Sequence, residues 1–237
     1  MGQFPFRRLQ VQLAEMINGL PADSRLPSEP HLARQLGVSR ATLREAMRAF
    51  EGQGMIRRRQ GVGTFVIGKV PVLESGLEIL ESIETIAHRI GLSVKTSDLQ
   101  VEQIKADEDL TRILSVPFQS SLTRVSRVIF TDSRPVAFLV DILPEEFLSP
   151  ADLEADFNGS VLDLLLLRGS PKLSTSRTDI RAISATSEVA RALQIQRDDV
   201  LLQFIASLYT DTGKVVDYSF SYFLPGYFHF HVVRRVG

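Results

Sequence analysis

Two stretches of helical periodicity meet at Gly37-Val38-Ser39, and this tight joint constrains the fold more than any other feature of the chain. Before it, Leu26-Pro27-Ser28-Glu29-Pro30 opens a helix: Ser28 is the expected N-cap, and Pro30 falls in the first turn, where a missing N–H is tolerated. Leu32, Ala33 and Leu36 form its apolar face, and Gly37 closes it. After the joint, Ser39 is the expected cap, and Leu43, Ala46, Met47 and Phe50 recur at i, i+3, i+4 and i+7 up to Gly52 or Gly54. Two helices across so short a turn signal a helix-turn-helix. Phe6, Leu9, Leu13, Met16 and Ile17 predict a helix ahead of it, ended by Gly19 and Pro21. Met55-Ile56, three arginines, Gln60-Gly61-Val62-Gly63 and Thr64-Phe65-Val66-Ile67 predict a hairpin behind it.

Arg40, Arg44 and Arg48 fall at i, i+4 and i+8, one stripe lying roughly 110° from the centre of the apolar face. The third helix can therefore pack inward while presenting three guanidiniums outward. Ser39, Arg40, Ala41 and Thr42 at its start are the positions that a helix laid in the major groove points at base edges. An arginine fork suits guanine O6 and N7, and the hydroxyls of Ser39 and Thr42 suit phosphates. Arg57, Arg58, Arg59, Gln60 and Gly61 then read as a basic wing on the flanking backbone or minor groove. Charge agrees with this division. The whole chain carries −1, yet residues 1–69 hold 11 Lys/Arg against 5 Asp/Glu, a net of +6, which leaves −7 for residues 70–237. A basic module that meets a polyanion is followed by an acidic one with another task.

Gly68, Pro71 and Gly76 mark a linker, placed at 70–76, between a module of residues 1–69 and a second domain of residues 77–237. The second domain reads as mixed. Helical spacing covers 77–90; strands are expected at 97–104, 121–131, 135–143 and 173–183; helices at 161–167 and at 187–194, the latter capped by Ser187. The end reads as a hairpin, 200–209 and 215–223 around Asp211-Thr212-Gly213-Lys214, with a last strand near 229–234. Strands joined mainly by hairpins argue α+β with an antiparallel sheet. No internal repeat shows in the sequence.

Several chemistries are set aside. The chain has no cysteine, which excludes disulfides and thiolate sites. The most apolar run, 161–167, is broken by Asp163 and is far short of the roughly 20 residues that span a membrane. With no signal-peptide core at the start, the cytoplasm is expected. Residues 63–69 match a phosphate-loop spacing, but Val70 stands where magnesium needs Ser or Thr. His229 and His231 share a strand face without a third ligand, so no metal site is expected. No cofactor and no catalytic residues are expected, because no convergent acid–base pair or nucleophile elbow occurs.

Leu26-Pro27-Ser28-Glu29, Leu36-Gly37-Val38-Ser39-Arg40, Thr42-Leu43-Arg44-Glu45-Ala46 and Gly61-Val62-Gly63-Thr64-Phe65-Val66 closely resemble the winged helix-turn-helix of GntR-family bacterial transcription regulators. The resemblance implies a dimer on a palindromic operator, with base or phosphate contacts from Ser39, Arg40, Ala41, Thr42, Arg44, Gln60 and Gly61; Arg48, Arg58 and Arg59 join them on the residue pattern. Pro30 departs from the family, which usually has a charged residue after Ser-Glu. The second half resembles the effector-binding UTRA domain of the HutC-like branch, through residues 122–127, Asp132, Pro135, Gly159-Ser160-Val161-Leu162-Asp163-Leu164, Asp211-Thr212-Gly213-Lys214-Val215-Val216-Asp217-Tyr218-Ser219 and the ending 228–235. This implies a chorismate-lyase-like antiparallel sheet domain that has lost catalysis and kept a pocket. By resemblance Ser97, Arg127, Ser160, Asp217 and Phe223 fall at effector positions. Ile129, Leu162 and Phe223 are apolar where family members are often polar, which favours a ligand less charged than a sugar phosphate. Arg127 either anchors an acidic or carbonyl group of the ligand or pairs with an acidic residue on a neighbouring strand.

The expected protein is a ligand-responsive DNA-binding regulator, a repressor that binds its operator as a homodimer. An enzyme with a DNA-binding appendage and an effector-independent DNA-binding dimer are the alternatives.

Overall fold

A computed structural model describes residues 3–21, 23–52, 55–59, 61–67, 73–157 and 159–234. The chain divides into two compact units, residues 1–72 with 224–227 and residues 73–223 with 228–237.

The first unit holds α1 (Gln3–Asn18), α2 (Glu29–Gln35), α3 (Arg40–Gly52), β1 (Ile56–Arg59) and β2 (Gly63–Val66). Leu9, Leu13 and Ile17 of α1 stand four apart, so they line one stripe, which buries against Leu32 and Ala33 of α2 and Leu43, Ala46, Met47 and Phe50 of α3. The joint between α2 and α3 is built as its sequence predicts. Gly37, at φ +66°, donates its N–H to Arg34 O, and Val38 donates to Ala33 O at 3.0 Å, the paired bonds of a Schellman ending. Ser39 Oγ then accepts from Thr42 N at 3.0 Å and caps α3. Ser28 sits at the N-cap of α2 but makes no side-chain cap. Pro30 supplies no N–H, and His31 N turns instead to the Ser28 carbonyl at 2.9 Å. β1 and β2 pair antiparallel from Ile56↔Val66 to Arg59↔Gly63. Gly63 turns at φ +141°, a backbone conformation that side chains rarely adopt, which is why glycine stands there.

The second unit is a six-stranded antiparallel sheet, built from β4 (Val94–Lys105), β5 (Ser121–Thr131), β6 (Arg134–Pro144), β7 (Leu173–Ser184), β8 (Val200–Thr210) and β9 (Val215–Phe223). The strand order is β4-β5-β6-β9-β8-β7. Short helices accompany it: α4 (Ile83–Arg89), α5 (Glu108–Leu114), α6 (Pro150–Asp156), α7 (Val161–Arg168) and α8 (Ser187–Ala192). The expected linker is partly strand. β3 (Leu73–Gly76) pairs in parallel with β10 (Phe228–His231), while residues 68–72 lie outside the described ones. Helix is also shorter than its periodicity predicts, since residues 77–82 are irregular and α4 begins only at Ile83.

The sheet is a structural duplicate, although the sequence shows no repeat. Strand–helix–hairpin β4-α5-β5-β6 is followed by β7-α8-β8-β9, and the copies meet where β6 pairs β9. Ala106 donates to Ser120 O and accepts from Gln119 N; Ala185 repeats this with Asp199 O and Asp198 N. Asp107 caps α5 and Thr186 caps α8, the latter in place of the predicted Ser187. Helix-end residues Ser115 and Gln194 both turn left-handed, at φ 55° and 54°.

Candidate functional site

In the first unit the arginine stripe faces outward as the spacing predicts. Ser39, Arg40, Ala41, Arg44 and Arg48 are exposed and Thr42 is half-buried, while Leu43, Ala46, Met47 and Phe50 are buried. The Ser39 hydroxyl is tied into the helix start, at 2.8 Å from Thr42 Oγ1. Glu29, the first residue of α2, takes a hydrogen bond from Arg44 Nε at 2.7 Å and pairs with Arg58 Nη2. One carboxylate thus ties α3 to β1. The contact to Glu29 is made through Arg44 Nε, the inner nitrogen of the guanidinium. Arg58 N donates to Glu51 Oε1 at 3.1 Å, and the Arg59 guanidinium lies over the Phe65 ring at 5.2 Å. Arg48 faces Glu45 at 3.7 Å, and among the described residues Arg40 has no ion-pair partner. Gly61 sits at φ +75° in the wing turn; Gln60 lies outside the described residues. Sequence reasoning missed the role of Glu29, whose only signal was a carboxylate at the entry to a basic module.

In the second unit a cavity of about 580 Å³ opens between the sheet and residues 75–86. Arg127, Ser160, Asp217 and Phe223 line it, four of the five effector positions named from sequence. Ser97 does not. It pairs with Val128 and is exposed, whereas Thr96 pairs with Ile129 and so shares the face of Arg127. Thr96 Oγ1 reaches Glu84 Oε1 at 3.4 Å. The irregularity between Ser97 and Gln100, with Asp98 at φ 53°, shifts the register at that point, and the sequence alone does not show it.

Arg127 is 4% exposed and pairs through Nη1 with Asp141 of β6, so of its two expected roles the pairing with an acidic residue on a neighbouring strand is what the fold contains. Its Nε, like Asp217 Oδ1, is buried without a hydrogen-bond partner among the described residues. Burial and the nearby Asp141 charge push the Asp217 carboxyl well above its usual pKa, with Arg127 opposing them. Burial also raises Glu84, again against Arg127. Two helix starts meet beside the cavity: Ser82 Oγ caps α4 and donates to Asp163 at 2.7 Å, while Ser160 Oγ caps α7 by accepting from Asp163 N at 3.1 Å. Phe223 packs on Phe204, Phe228 and Phe230 at centroid distances of 4.7–5.1 Å, an apolar end to the cavity.

Residues 7–66 match the family of bacterial regulatory proteins called gntR, and residues 89–229 match the UTRA domain. The HTH-type transcriptional repressor NagR of Bacillus subtilis is 28% identical over 216 residues, covering 90% of this chain and 88% of its own. The mannosyl-D-glycerate transport/metabolism system repressor MngR of Escherichia coli is 26% identical over 243 residues, covering 99% and 98%. PhnF from Mycobacterium smegmatis shares the fold, with a TM-score of 0.65 over 97% of this chain and all of its own at 22% identity. The winged helix-turn-helix in the first unit and the antiparallel α+β domain in the second are thus the two halves of a transcription regulator, not an enzyme. The chain belongs to the GntR-type DNA-binding regulators that carry a UTRA domain for a small-molecule effector.

Proposed function

We propose that the protein is a homodimeric repressor that reads a palindromic operator through α3 and releases or tightens on it when a small metabolite enters the cavity of the second unit. The observation that carries this reading is the Glu29 clamp. It holds Arg44 and Arg58 in one arrangement beside an exposed, cationic helix face, as a reader of DNA needs. Ser39, Arg40, Ala41, Thr42, Arg44 and Arg48 address the major groove, and Arg58, Arg59, Gln60 and Gly61 the flanking backbone. Two-fold operators need two readers about one helical turn apart, and the first unit, with one small core, is a poor dimer by itself. Residues 70–237 therefore hold the dimer contact. The protein acts in the cytoplasm, where a bacterial operator lies.

Arg127, Ser160, Asp217 and Phe223 form the effector site. Residues 75–82 line the cavity and continue the chain from the DNA-reading unit, which supports a coupling through 68–76. Binding regulates DNA affinity by preferring one placement of the two readers, typically with about 1–3 kcal/mol of coupling. Selection of bound duplexes from a random pool by the full chain tests the reading. Enriched palindromes bound by a dimer support it. A monomer, or a pool without enrichment, removes it.

A further inference from the structure

The hairpin of the first unit carries a third strand beyond the predicted two. Arg25 bridges antiparallel to Phe65. Around that bridge Leu26 N donates to Thr64 O and Val66 N to Ser24 O, both at 2.8 Å, and Asp23 N donates to Val66 O at 2.9 Å. Side chains alternate along such a strand. Leu26 is 3% exposed and enters the core, so Arg25 points to the opposite, solvent-facing side. Phe65 stands across from Arg25 on one side and from Arg57 on the other, and Arg59 lies two residues on from Arg57. Directly opposed residues share a face, so the three arginines and the Phe65 ring lie together on the outer side of the wing. Thr64, which is buried, and Arg58, which pairs with Glu29, take the inner side.

Arg25 also reaches toward the wing turn. The point where a side chain on Gly63 would begin lies 2.6 Å from Arg25 Nε, so Arg25 crosses Gly63, the residue paired with Arg59. The Arg59 guanidinium rests over the Phe65 ring at 5.2 Å. Arg25 and Arg59 are exposed and Arg57 is half-buried. Among the described residues none of the three enters an ion pair, whereas Glu29 engages both Arg44 and Arg58. The outer face thus gathers like charges that the fold leaves unneutralised, and their mutual repulsion falls when an anion lies across them. A guanidinium fork matches two phosphate oxygens, and a line of phosphates asks for charge without any base edge. The hairpin that carries this face is tied through Glu29 to α3, so a duplex read by α3 is the polyanion that the arrangement serves.

We infer that Arg25 is a DNA-contact residue, which with Arg57 and Arg59 grips the phosphate backbone beside the site that α3 reads. This rests on the DNA-reading function proposed above and adds to it a residue outside both α3 and the hairpin. Binding of the full chain to an operator selected from random duplexes tests it. Arg25→Gln melts like the unaltered chain, because the bridge to Phe65 is made by backbone atoms. It lowers the slope of log affinity against log salt by about one, and weakens operator and unrelated duplex by the same factor. Phosphate ethylation interference shows the contact directly: flanking phosphates whose ethylation blocks the unaltered chain no longer matter to Arg25→Gln. Arg25→Lys, which keeps the charge, keeps the slope. Arg112→Gln, at a 76% exposed side chain on α5 of the second unit, changes neither slope nor interference pattern. An unchanged slope and pattern in Arg25→Gln overturn the contact, and so does an equal fall in Arg112→Gln, which would reduce Arg25 to net charge. Loss of the melting transition in Arg25→Gln assigns Arg25 to the fold and overturns it too. A random pool from which the unaltered chain selects nothing overturns the DNA-reading function itself.

Discussion

Glu29 and Arg44 lie fifteen residues apart on successive helices and meet at 2.7 Å, carboxylate to Nε. The contact fixes a side chain that is 52% exposed and would otherwise sample many rotamers. Its worth is ordering more than attraction, since exposed ion pairs stabilise a fold little. Arg44→Ala lowers operator affinity by about 1–3 kcal/mol if its fork is bidentate to guanine. Glu29→Gln loses part of the same energy, and the double variant loses less than the sum of the two. Fluorescence anisotropy on the selected operator checks the cycle; strict additivity would separate Glu29 from recognition.

Arg58 is expected to follow a different rule, that of the backbone contact proposed for it. Arg58→Ala weakens operator and unrelated DNA alike and reduces the slope of log affinity against log salt by about one. Arg44→Ala mostly spares unrelated DNA. Titrations at three salt concentrations distinguish the two, and identical profiles would contradict the division between helix and wing.

Arg127 and Asp141 form a buried pair, so removing one partner strands the other's charge. Arg127→Ala lowers the unfolding free energy by about 3–5 kcal/mol, whereas Arg127→Met with Asp141→Leu is close to neutral. Denaturant melts of the full chain measure this. The double variant also keeps operator binding while losing the ligand response. If Arg127→Ala melted like the unaltered chain, the pair would not be the strut the geometry describes.

Asp217 and Glu84 impose a pH dependence of definite sign. Their folded pKa values are raised by burial, in the field of Arg127 on β5, Asp141 on β6 and Asp163 on α7. Between the unfolded carboxylate range, about pH 4, and the raised folded values, the folded chain holds more protons than the unfolded one. Stability from this pair is therefore full at low pH and lost as pH rises through that window. Asp217→Asn removes most of the loss, so its melting temperature gains on the unaltered chain between pH 5 and pH 8, by scanning calorimetry. A constant difference across that range would show that Asp217 is ionised throughout.

Much of the first unit was legible because its rules are local. Gly37 at a left-handed helix end, Ser39 at a cap and arginines every fourth residue each act within one turn of chain. Failures came where two local rules compete or where pairing is remote. Pro30 left Ser28 no N–H to cap at the second helical position, and Thr186 took the cap one residue before Ser187. Leu73–Gly76 looks like linker because its strand partner, Phe228–His231, is over 150 residues away. At Ser97 a slip of one residue exchanged the faces of the sheet and left Thr96 on the side of Arg127. Glu29 could be read as a surface charge until the fold set two arginines beside it.

The duplicated sheet shapes how such a receptor can change its ligand. β5 and β8 occupy equivalent places in the two copies, and Arg127 and Ala206, 79 positions apart like Ala106 and Ala185, both line the cavity. One copy supplies a charged strut and the other, at the matching point, a small side chain that yields space. A near-symmetric cradle thus holds unlike walls. Substitution at 206 enlarges or polarises one wall without touching the Arg127–Asp141 strut that braces the other, so half of the receptor can drift toward a new metabolite while its twin keeps the sheet intact.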